Sequence, residues 1–180
     1  EAPGPKIDKS GAKNFQITDD ALGVGSAKEK FRSNVAAIKT VETIEAESRI
    51  ATPEEQHVLS KYVGWGGLSD AFDDTKVSWA NEYQELKALL SPEEYASARE
   101  STLNAHYTSP TIIRSIYKAL DNMGFEKGNI LEPAMGIGNF FGMLPEKMQE
   151  SKLYGVELDG ITGRIAKQLY PNADVKISGY

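Results

Sequence analysis

The stretch Ile130-Leu131-Glu132-Pro133-Ala134-Met135-Gly136-Ile137-Gly138-Asn139-Phe140-Phe141-Gly142 decides how this chain folds. It opens as a short apolar strand ending in an acid, passes through a turn with two glycines, and runs on into a helix. Glycines in such a turn let the backbone approach a ligand closely and leave free amides at the helix start. A dinucleotide fingerprint wants its third glycine three residues after the second. Phe141 occupies that place, and Gly142 comes one residue late. The misfit disfavours a pyrophosphate. What remains is a ligand that needs a close backbone but no phosphate cradle.

Downstream, a helix is expected from Asn139 to about Gln149, followed by a strand from Lys152 to Leu158 that again ends in acids, Glu157 and Asp159. A helix over about 162–169 and a strand over 174–177 close the chain. Upstream, Ser109-Pro110 starts an amphipathic helix with Ile112, Ile113, Ile116, Tyr117 and Leu120 on its apolar side. This alternation predicts an α/β unit over residues 105–180: the start of a doubly wound parallel sheet, with strands near 129–132, 153–157 and 174–177. Glu157 lies 19 residues after Gly138, at a strand end where a carboxylate can accept both ribose hydroxyls of a nucleoside. The plainer reading is a structural turn beside a solvated carboxylate. Glu132, the flanking elements and Glu157, all in register, favour the ligand.

Toward the amino terminus the grammar is different. Residues 1–25, punctuated by Pro3-Gly4-Pro5, Ser10-Gly11 and Gly23-Val24-Gly25, read as a flexible leader, ordered only if something docks on it. Residues 26–104 read as a helical region, and they are expected to cover the truncated edge of the parallel sheet. Ser26 with Glu29 makes a capping box, and Phe31, Val35, Ile38, Val41 and Ile44 recur at helical spacing to near Arg49. Thr52-Pro53-Glu54-Glu55 and Ser91-Pro92-Glu93-Glu94 are two more helix starts, whose acids offset the helix dipole. Trp65, inside Gly64-Trp65-Gly66-Gly67, can stack on a base or plug a hydrophobic gap; the plug is preferred. Trp79 signals packing alone.

Composition narrows the function classes. With no cysteine among 180 residues there is no disulfide framework, thiolate nucleophile or sulfur-based zinc site. His57 and His106, the only histidines, are 49 residues apart and lie outside metal-ligand spacing, so no metal is expected. No apolar run approaches the roughly 20 residues that span a bilayer, and no signal peptide is visible, so no membrane partner is expected and a cytoplasmic setting is the default. The net charge is −6; residues 101–180 hold eight basic and eight acidic residues, so the excess lies in the first hundred. Without a basic patch, DNA binding by electrostatics alone is disfavoured. The chain begins at Glu1, which reads as an excised piece of something longer.

Here the residues resemble a family. Glu132-Pro133-Ala134-Met135-Gly136-Ile137-Gly138-Asn139-Phe140 resembles the S-adenosylmethionine motif of adenine-specific DNA methyltransferases, Asp/Glu-Pro-x-x-Gly-x-Gly. His106-Tyr107-Thr108-Ser109-Pro110 is similar to their Tyr-Thr-Pro segment, with Ser109 where the family has Thr directly before Pro. Tyr154-Gly155-Val156-Glu157-Leu158-Asp159 resembles their ribose-binding strand. The match covers about residues 105–180, and Tyr62-Val63-Gly64-Trp65-Gly66-Gly67-Leu68 further resembles the large helicase–methylase proteins of bacterial mobile elements and phages.

The resemblance implies a Rossmann-like methyltransferase fold, truncated, that binds S-adenosylmethionine and transfers its methyl group to the exocyclic amine of adenine. Tyr107, Thr108 and Pro110 would flank the methionine end. Glu132, followed by Pro133, would face the methionine amino group, with Gly136 and Gly138 letting the backbone pass beneath it. Glu157 would hold the ribose and Leu158 would pack on the adenine. The tyrosine could instead be a half-buried core aromatic. The family's Asn/Asp-Pro-Pro-aromatic loop, which engages the flipped-out adenine, is absent, since no proline here is followed by another. No catalytic residue is therefore assigned. DNA is expected to bind through a missing part of the parent protein, and this fragment is expected to be inactive. The alternative is a non-catalytic helical interaction module fused to a degenerate nucleotide-binding fold; a nicotinamide-dependent enzyme is a third reading, disfavoured by Phe141.

Overall fold

A computed structural model describes residues 9–18, 23–103 and 107–179. His106 and the first eight residues lie outside these, as do residues 19–22 of the leader. The chain is α/β: a helical region precedes a small parallel sheet with its own helices.

The helical region holds α1 (Ala27–Ala46), α2 (Pro53–Leu59), α3 (Ala80–Leu89) and α4 (Pro92–Ser101). The capping boxes at Ser26, Thr52 and Ser91 all form, each with a Glu three residues on. Two of the first-turn acids do more than offset a dipole: Glu55 pairs with Arg49, and Glu94 with Arg164 across to the α/β unit. The apolar stripe of α1 is buried from Phe31 to Ile44 as its spacing requires. Trp65 is 2% exposed, and its indole meets Phe31, Tyr62 and Phe72 edge to face. It is a plug. Trp79 is buried as well, against Phe31 and beneath the Lys28 ammonium.

The α/β unit runs α5 (Pro110–Asn122), β1 (Asn129–Glu132), α6 (Asn139–Gly142), β2 (Lys152–Glu157), α7 (Gly160–Leu169) and β3 (Asp174–Ile177). The strands pair in parallel in the order β1-β2-β3, with Leu131 opposite Tyr154 and Gly155 opposite Val175. One face is dry: Leu153, Gly155 and Val175 are buried beneath α6 and α7. The other face carries Leu131, 63% exposed, and Tyr154. A parallel sheet is ordinarily covered on both sides; among the described residues this one is covered on one.

Four expectations need correction. The helix after the glycine turn ends at Gly142, because Pro145 cannot donate into it; a single 3-10 turn, Glu146–Met148, follows instead of a helix to Gln149. On α5 only Ile113 and Tyr117 are buried, whereas Ile112 and Ile116 face outward. The leader is not loose throughout: Phe15 N–H donates to the Leu169 carbonyl and Ile17 N–H to that of Gly142, so residues 15–17 lie along the ends of α7 and α6. The helical region, expected to cover a sheet edge, packs principally on α7 through α1 and α2. There the Gln56 amide donates to the carbonyls of Gln168 and Leu169, and Gln168 Oε1 accepts from Ala51 N–H at 3.0 Å. No helix among the described residues is long and apolar enough to cross a membrane.

Candidate functional site

At the carboxyl ends of β1 and β2 lies a cavity of about 420 Å³, within the range of small-ligand sites. Its floor is the glycine turn. Gly136 sits at φ +56°, a left-handed conformation that side chains disfavour, and its N–H donates to Glu157 Oε2 at 2.8 Å. The second Glu157 oxygen accepts the Asp159 N–H at 2.9 Å. A carboxylate thus ties the end of β2 to the turn after β1, and Met135 N–H adds a bond to the Val156 carbonyl. Each Glu157 oxygen keeps a lone pair for a further donor. Asp159 caps α7 through the Thr162 N–H and hydroxyl, which sets its carboxylate beside Glu157.

Of the residues singled out from the sequence, Tyr107, Thr108, Glu132, Gly136, Glu157 and Leu158 line this cavity. Pro110 lines an adjoining cavity of about 300 Å³, which shares Tyr62, Tyr107, Thr108 and Asn139 with the first. Pro133 and Gly138 line neither. At φ +88° Gly138 faces the Tyr170 ring, with an added Cβ only 2.9 Å from Cδ2, so its missing side chain makes room for a core aromatic. A Cβ added at Gly136 would stand 3.0 Å from Tyr107 Cε1, so the bare glycine shapes the cavity wall.

The electrostatics follow from burial. Glu132, half-buried at the end of β1, has its pKa raised by desolvation. Tyr107 is 39% exposed as a whole, yet burial and the charges of Glu157 and Asp159 push its hydroxyl well above the ordinary tyrosine range, and it stays neutral. Tyr62 is shifted the same way, by burial first and by Asp159 second.

The opposite wall was not legible in the sequence. Tyr62, Gly64 and Trp65 from the loop after α2, and Ser97, Glu100 and Ser101 from α4, close the cavity from the helical side. Ser97 Oγ donates to Asp159 Oδ2 at 3.2 Å, joining the two walls. Among the described residues, two buried polar atoms beside the cavity have no hydrogen-bond partner, Trp65 Nε1 and Asn139 Oδ1. The Tyr62 hydroxyl stands near the Trp65 indole without reaching hydrogen-bond geometry. Buried polar groups are normally satisfied, so both atoms mark a surface built for something more than packing. A local cue existed in the Gly64-Trp65-Gly66-Gly67 turn, but only the packing of α1 and α2 on α7 brings it to the strand ends.

The chemistry of the lining suits a nucleoside bearing an amino-acid tail. Carboxylates at a strand end accept ribose hydroxyls and ammonium protons, the turn admits a close backbone, and among the described residues no Lys or Arg lines the cavity to hold a phosphate. No family model, curated protein or solved structure matches this chain.

Proposed function

We propose that this chain is the cofactor-binding part of an S-adenosylmethionine-dependent DNA adenine methyltransferase with a Rossmann-like fold. The observation that carries the reading is the strand-end cavity, floored by the Gly136 turn, walled by Glu132 and Glu157, and, among the described residues, lined by no basic side chain. Glu157 would accept from the ribose hydroxyls and Glu132 from the methionine ammonium, while Tyr107 and Thr108 bound the methionine end and Leu158 offers an apolar face to the adenine. Bound S-adenosylmethionine supplies an electrophilic methyl group. The chain's own residues bind and orient it. The adenine acceptor rests on the three sequence motifs, and the residues that would hold it are not among these 180.

A second reading, a helical interaction module on a degenerate nucleotide-binding fold, has its own support. Both Glu157 oxygens are engaged by backbone amides, and Gly138 serves the core. Equilibrium dialysis with radiolabelled S-adenosylmethionine separates the two. The first reading expects saturable retention, weakened roughly tenfold or more by Glu157→Ala, abolished by Gly136→Val, and unchanged by Lys118→Ala on the outer surface of α5. No retention at millimolar cofactor refutes it.

A further inference from the structure

Four carboxylates line the cavity, Glu100, Glu132, Glu157 and Asp159, with no Lys or Arg among the lining residues. They come from three places: the end of β1, the end of β2 and, for Glu100, the last turn of α4. Glu157 and Asp159 are satisfied by backbone amides and hydroxyls, donors without formal charge. Among the described residues, the side chains of Glu100 and Glu132 form no ion pair or hydrogen bond. The negative charge is therefore uncompensated. A second feature points the same way. Asn139 Oδ1, on a residue 9% exposed, is an acceptor buried beside this cavity with no donor.

We propose that the cavity reads the charge on its ligand's sulfur: it takes the sulfonium cofactor in preference to the neutral thioether left after methyl transfer, with Glu100 as a specificity-determining residue. This rests on the reading that the cavity takes S-adenosylmethionine. Cofactor and product share their adenosine and amino-acid parts and differ by one methyl group and one positive charge. Taking a separation of about 7 Å and an effective dielectric between that of water and about 20, one uncompensated carboxylate favours the cation by about three- to fiftyfold. Glu100 is an exposed lining residue, so its contribution lies at the low end. Its effect is to expel spent cofactor. The helical region thereby acts on ligand choice as well as on shape.

The test is calorimetric titration of the 180-residue chain with S-adenosylmethionine, S-adenosylhomocysteine and sinefungin, whose ammonium stands where the sulfonium does. At low salt the two cations should bind about tenfold more tightly than S-adenosylhomocysteine, and the gap should narrow in about 0.5 M salt. Glu100→Gln should weaken both cations about threefold and leave S-adenosylhomocysteine unchanged. Its melting curve should match the parent's, since Glu100 makes no bond. Equal affinity for cofactor and product at low salt overturns the charge reading while leaving the cofactor reading intact. So does sinefungin tracking S-adenosylhomocysteine, which would assign the preference to the methyl group. A Glu100→Gln chain that weakens all three ligands alike, or none, removes Glu100 from the role. Absence of heat with every ligand at millimolar concentration refutes the cofactor reading itself, and this inference with it.

Discussion

Gly138→Ala distinguishes a glycine kept for the core from one kept for a ligand. A methyl group there stands 2.9 Å from Tyr170 Cδ2 and 3.1 Å from Met135 Cε, on a backbone at φ +88°. The left-handed conformation costs a non-glycine residue about 1–2 kcal/mol. Crowding a packed core adds about 1–3 kcal/mol, because Tyr170 is buried edge to face against Phe141 and has little room to retreat. The total is about 2–5 kcal/mol, which for a chain of this size lowers the melting temperature by roughly 5–15 °C. Circular dichroism melts of Gly138→Ala, Tyr170→Ala and the double variant complete the cycle. In the Tyr170→Ala background the glycine substitution should cost only the backbone part, about 1–2 kcal/mol. A Gly138→Ala chain that melts like the parent but no longer retains S-adenosylmethionine would refute the packing argument and return Gly138 to the ligand.

Glu132→Gln should stabilise the chain at neutral pH and make no difference well below pH 4. Burial raises the folded-state pKa of Glu132 above its unfolded value, so the folded state holds the proton longer and the parent loses stability as pH rises through that interval; urea midpoints of both proteins across pH 4–8 check the sign. Gln56→Ala leaves the carbonyls of Gln168 and Leu169 without the donor from α2, and should cost about 1–3 kcal/mol in urea unfolding. Trp65→Phe keeps the ring among Phe31, Tyr62 and Phe72 while deleting an N–H that has no acceptor, so it should change stability by less than about 1 kcal/mol, whereas Trp65→Ala should cost about 3–5 kcal/mol, both read from thermal melts.

The sequence carried its local signals faithfully. Asn129–Glu132 and Asp174–Ile177 form at their expected positions, and three capping boxes begin α1, α2 and α4, because strand patterning and cap chemistry act within a few residues. Helix α3 left little trace. Only Leu86 is buried along it, and Trp79 at its N-cap offers no side-chain cap. Pro145 did carry a stop signal for the helix after the glycine turn, and the apolar run from Phe140 to Leu144 obscured it. Half the candidate site was visible for the same local reason: Glu132, Gly136 and Glu157 sit on one strand-turn-strand unit. Trp65, Ser97 and Glu100 reach the cavity only through contacts between elements about sixty to more than a hundred residues apart, which no short spacing encodes.

Helix α7 bears on how this molecule can change over evolutionary time. A helix that covers a sheet ordinarily turns its other side to water, but seven of the ten residues of α7 are buried, with strands on one side and α1 and α2 on the other. The side chains of Arg164 and Gln168 belong to its outer surface and bind Glu45, Glu94 and Ala51. The two halves therefore cannot be shuffled as cassettes. A recombination joining this α/β unit to a foreign amino-terminal region would strand an apolar helix face and two polar anchors, so descent should move them as a pair.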